Sequence, residues 1–115
     1  MNSIETIPTT TPTQTPTETH EQYLNRCVTA IKVGILRFLY NMEHKNQSIV
    51  LVDELFKEQE YLLQRAREDK ERIEKELAQN VNAIGLKHQI DFMVQMLEHA
   101  AVTLNNMKNH LQLIQ

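Results

Sequence analysis

Leu86, Ile90, Met93, Leu97, Ala100, Leu104, Met107, Leu111 and Ile114 alternate steps of four and three without a miss. On an α-helix that spacing holds one stripe against one partner. At 1.5 Å per residue the segment is a rod of about 45 Å, and a stripe sustained over about four heptads predicts bundle or coiled-coil packing. A chain containing such a rod has to supply other helices to cover it.

Two further segments answer that need. Leu24, Val28, Ile31, Ile35, Phe38 and Met42 step by four and three, which predicts a first helix ending near His44. Its start is marked twice, by Thr15-Pro16-Thr17-Glu18 and by Thr19-His20-Glu21-Gln22, and the sequence does not choose between these capping signals. "HKNQS" at 44–48 breaks the pattern, with Asn46 suited to a left-handed helix end. So short a connection favours an antiparallel neighbour. A second helix is expected from Ser48, its stripe read as Ile49, Val52, Phe56, Leu63, Ala66, Ile73 and Leu77, interrupted by Gln59 and Lys70. The run "RAREDKERIEKE" at 65–76 balances its charges and reads as a solvated face, with Glu68–Arg72 and Glu71–Lys75 as pairs one turn apart.

Between the second and third patterns, Ile84 stays in phase with Ile73 while Leu86 does not, so the phase jumps beside Gly85. "QNVNAIG" contains Asn80, Asn82 and Gly85, and a tight reversal is expected there; the alternative is one long helix whose apolar side switches midway. With only two glycines, and prolines confined to positions 8, 12 and 16, the chain lacks the turn residues of a β fold. The expected fold is all-α: three long helices in an antiparallel bundle or coiled-coil hairpin over residues 19–115. Residues 1–18, rich in Thr and Pro, have little to bury and read as a disordered tail. Thr11-Pro12 and Thr15-Pro16 carry the minimal proline-directed phosphorylation pattern.

Several chemistries are disfavoured. "LKHQIDFMVQMLEH" at 86–99 mixes histidines, methionines and acids, and His88, His99 and His110 recur every eleven residues on one side of the third helix. The helical rise separates neighbours by about 16 Å, whereas one zinc gathers its ligands near 2 Å. No metal site is expected, and the histidines read as solvent-facing. The helical metalloprotease and di-iron spacings are absent, as are nucleophile-elbow and phosphate-loop glycines. Asp53 and Glu54, adjacent on a helix, diverge by about 100° and do not converge on a substrate. No catalytic residue, cofactor or small-molecule substrate is assigned.

A formal charge of −3 without a clustered basic patch argues against direct nucleic-acid binding. The most apolar run, "AIKVGILRFLY" at 30–40, is broken by Lys32 and Arg37 and is too short to span a membrane. Cys27, the single cysteine, reads as a small buried hydrophobe in a reducing compartment, which suits an intracellular protein of cytoplasm or nucleus.

The first helix is apolar nearly all round. Opposite its main stripe it carries Val33, Leu36 and Tyr40, with Gly34 and Leu39 between. Either helix 1 sits centrally, clasped by the other two, or Val33, Leu36 and Tyr40 meet another chain. Phe92 and Met96 flank the third stripe and join these as expected partner-binding residues. The sequence therefore reads as a non-enzymatic helical subunit or adaptor that binds helical chains, its own or another. The alternative is a small regulatory binder holding an amphipathic client segment or a membrane surface.

Overall fold

The computed structural model describes residues 12–114. These form three α-helices: α1 (His20–His44), α2 (Ile49–Leu77) and α3 (Ile84–Leu113), with a single 3₁₀ turn, Val81–Ala83, ahead of α3. No strand occurs among the described residues. The fold is an all-α bundle of three packed helices, as the periodicities predict.

Of the two capping signals, Thr19 starts α1. Its hydroxyl accepts from the Gln22 amide at 3.1 Å, and the Gln22 side chain accepts from the Thr19 amide at 2.9 Å. The Thr15–Glu18 signal closes a separate turn, with the Thr15 amide donating to Glu18 Oε1 at 3.1 Å. Residues 12–19 therefore precede the helix as a non-helical segment. Arg26 fastens it by pairing with Glu18 at 2.6 Å and donating to the Thr13 carbonyl at 2.7 Å. The rest of the expected disordered tail, Thr11 included, lies outside the described residues.

Two turn expectations are corrected. No residue other than glycine has a positive φ among the described residues, so Asn46 does not take the left-handed conformation. Lys45 ends α1 instead, its amide donating to the Asn41 carbonyl at 2.7 Å. The 77–84 link is the expected reversal rather than a continuous helix, but it turns at residues 78–80. Ile84 and Gly85 already belong to α3. Asn80 makes the break, its side chain accepting from the Asn82 amide at 3.0 Å.

The centre of the bundle is α2. It packs along both α1 and α3, which touch each other far less. The arrangement in which α1 is clasped from both sides is thereby overturned. Asn41 reaches Glu58 and Gly34 lies under Leu62, so α1 and α2 run antiparallel. Gln59 reaches Leu97 and Lys108 reaches Asp53, so α2 and α3 do likewise. It follows that α1 and α3 are parallel. The body is flattened, with extents of 54 × 30 × 16 Å and a radius of gyration of 16.1 Å. A compact chain of this size has about 13 Å.

The side of α2 that enters the core is Val52, Leu55, Gln59, Leu62, Ala66, Asp69 and Ile73, an unbroken three-four alternation. The stripe read from hydrophobicity was displaced. Phe56, Leu63 and Leu77 are half-buried against the core, while polar Gln59 and Asp69 occupy positions within it. Gln59 is compatible with burial because its Nε2 donates to the Leu97 carbonyl of α3 at 2.8 Å.

The solvated-face reading of 65–76 fails at two residues. Asp69 is 1% exposed and Arg65 6%. Arg72 donates to Asp69 rather than pairing with Glu68, and Arg65 donates to the Tyr61 hydroxyl at 3.2 Å. Burial pushes the Asp69 carboxyl above its ordinary range, against the pull of Arg72 and Arg65. Cys27, fully buried, has its thiol pushed up by the same cause. Along α3 the stripe is buried from Leu86 to Leu104, half-buried at Met107 and Leu111, and exposed at Ile114, where α2 has run out.

Gly34 sets the spacing between α1 and α2. It is buried against α2, not on the free side of α1, and a Cβ there would stand 2.6 Å from Leu62 Cδ2. Leu62 is itself fully packed. Gly34→Val is therefore expected to cost about 2 kcal/mol by overpacking, read as a lower urea midpoint with unchanged slope.

A candidate protein-binding groove between α1 and α3

Because α1 and α3 flank α2 and barely meet, a seam stays open between them. It holds a groove of about 260 Å³ lined by Lys32, Ile35, Leu36 and Leu39 of α1 and by Phe92, Met93 and Met96 of α3. Ile35 and Met93 form its buried floor, and Leu36 (67% exposed) and Phe92 (62% exposed) stand at its rims. Met96, half-buried, packs against the core from the groove side.

Three of the five residues expected to bind a partner thus converge: Leu36, Phe92 and Met96. The other two do not line the groove. Val33 and Tyr40 are exposed on the adjoining side of α1, where Tyr40 stacks on His44 with ring centroids 4.1 Å apart. Sequence reasoning missed Lys32, Ile35 and Met93 as lining residues, and placed Leu39 only as a neighbour. Their common location depends on α1 and α3 being parallel, which no local pattern encodes.

The charges explain why the seam is apolar. Leaving its histidines aside, the charged residues of α3 are Lys87, Asp91, Glu98 and Lys108. Each pairs with α2: Lys87 with Glu74 at 3.7 Å, Asp91 with Lys70 at 3.3 Å, Glu98 with Arg67 at 3.0 Å, and Lys108 with Asp53 at 3.0 Å. Lys87 also donates to Asp91 at 2.7 Å, which holds the Asp91 carboxyl below its ordinary range. Each exposed pair contributes little, because solvent screens the attraction. Collectively they fix α3 on α2 in one rotation. That rotation turns the side of α3 carrying Gln89, Phe92, Met96, His99 and Thr103 toward the seam, with no Asp, Glu, Lys or Arg among them.

His88, His99 and His110 are all exposed. Among the described residues no three His, Cys, Asp or Glu side chains gather as metal ligands do. No helix among them is long and apolar enough to cross a membrane. What the groove offers chemically is shape and apolar contact, bordered at one end by the Lys32 ammonium.

No family model, curated protein or solved structure matches this chain.

Proposed function

We infer that the protein is a non-enzymatic helical interaction module, a structural or adaptor subunit that completes its bundle by accepting a helix from a partner between α1 and α3. One observation carries this reading: an apolar seam rimmed by Leu36 and Phe92, on a bundle whose α3 acids and lysines are all drawn to α2. Two parallel helices flanking a third leave between them one groove that a further helix can cover. Exposed apolar residues grouped in this way mark an association face. A buried thiol in a chain with no second cysteine suits a reducing cytoplasm or nucleus.

Leu36→Glu tests the reading. A carboxylate at the rim would be desolvated by any helix seated in the groove, while in the free chain it meets water. The expected result is loss of the complex, measured by sedimentation and by co-purification, with helical circular dichroism kept. A variant that assembles like the wild type would show the groove is not the contact.

A further inference from the structure

Resting on the groove as a protein-binding face, we propose that its occupant is α1 from a second copy of this chain, laid antiparallel across a two-fold axis. Lys32, Leu36, Leu39 and Glu43 are spaced four, three and four, which sets them in one row along α1. All four are exposed. The row is basic at one end, acidic at the other, and apolar between. Neither Lys32 nor Glu43 makes an ion pair among the described residues.

A row of that pattern is complementary to itself reversed. With the axis midway between positions 37 and 38, Lys32 meets Glu43 of the second copy, twice over, and Leu36 meets Leu39 of the second copy, also twice. This is the isologous contact of a two-fold dimer, in which one patch serves both sides. A parallel alignment would instead oppose Lys32 to Lys32 and Glu43 to Glu43. Phe92 and Met96 form the far wall of the groove in each copy, so each α1 is enclosed between the first helix and the third helix of its mate. A chain of net charge −3 can approach itself most readily on this side, since α3 presents no Asp, Glu, Lys or Arg there and only His99 as a titratable group.

Sedimentation equilibrium of the full chain decides the matter with four proteins: wild type, Lys32→Glu, Glu43→Lys and the double reversal. The wild type is expected to dimerise. Each single reversal makes both symmetric charge contacts repulsive and should weaken the dimer roughly ten-fold. The double reversal should restore it to within about three-fold, and an equimolar mixture of the two single variants should form heterodimers as tight as the wild type. Both substituted sites are in water, so circular dichroism should be unchanged.

A wild-type chain that stays monomeric to about 100 μM would overturn the second copy as occupant. Co-purification lost on Leu36→Glu would then still uphold the groove for a different helical chain. A dimer abolished by Leu36→Glu but indifferent to the charge reversals would overturn the two-fold register and keep the groove. A dimer indifferent to all of them would overturn both.

Discussion

Asp69→Leu is expected to lower the free energy of unfolding by about 3 to 4 kcal/mol, measured by urea denaturation at neutral pH. Asp69 is almost wholly buried and accepts from Arg72 on its own helix, with Arg65 one turn earlier also acting on its charge. Removing the carboxylate leaves Arg65 in the interior without its acidic neighbour. The cluster itself, however, is not a source of stability. Burial raises the Asp69 carboxyl even against two guanidinium groups, so desolvation outweighs the attraction. Arg65→Met with Asp69→Leu should accordingly recover most of the loss, giving a coupling of at least about 2 kcal/mol in the double-mutant cycle.

The same cluster sets the sign of a pH effect. A carboxyl whose folded value is raised binds its proton more readily in the native state than in the unfolded chain. Between the ordinary and the raised value, stability therefore falls as pH rises. Glu58, also raised by burial despite the Asn41 amide, acts in the same direction. Asp91 is lowered by Lys87, so its contribution is instead lost when pH falls below the ordinary carboxylate value. Urea midpoints taken upward from the ordinary carboxylate value should fall in the wild type. They should fall less in Asp69→Asn, which has no proton to lose. A wild-type profile parallel to that of Asp69→Asn would show that Asp69 is not held raised.

How far the sequence discloses this bundle depends on where polar residues sit. The α3 stripe was legible because from Leu86 to Leu104 each inward position is apolar. The α2 register was not, although it is equally regular, because Gln59 and Asp69 occupy two of its seven inward positions. Hydrophobicity then selects Phe56 and Leu63 on the flank. The features that permit the burial are a carbonyl 38 residues away at Leu97 and an arginine whose apparent partner was Glu68. Spacing cannot display either. The groove was legible in the same partial way. Leu36, Phe92 and Met96 stood out singly as surplus apolar residues, but only the up-down-up path of the chain sets them on facing walls. One signal was available beforehand: the Asp, Glu and Lys residues of α3 are few, and all of them avoid the Phe92–Met96 side.

Two phenylalanines separate stability from association most sharply. Phe38 on α1 is fully buried in the core, and Phe92 on α3 is among the most exposed apolar residues outside the chain end. Phe38→Ala removes a ring from packed surroundings and is expected to cost about 4 kcal/mol, the transfer of the ring plus the cavity it leaves. Phe92→Ala exchanges a wetted ring for a wetted methyl and should change the stability of the dilute chain by no more than about 0.5 kcal/mol. In the proposed dimer Phe92→Ala acts on association instead. A seated helix would bury the exposed Phe92 ring, and buried aromatic anchors carry much of the free energy of association, so Phe92→Ala should weaken assembly by about 1 to 2 kcal/mol. The rise of melting temperature with protein concentration expected of a dimer should then begin at roughly ten-fold higher concentration than in the wild type. Measuring both variants at low and high protein concentration yields the test. If Phe92→Ala were as destabilising as Phe38→Ala in dilute solution, the ring would belong to the core, and α3 would have no free side to offer a partner.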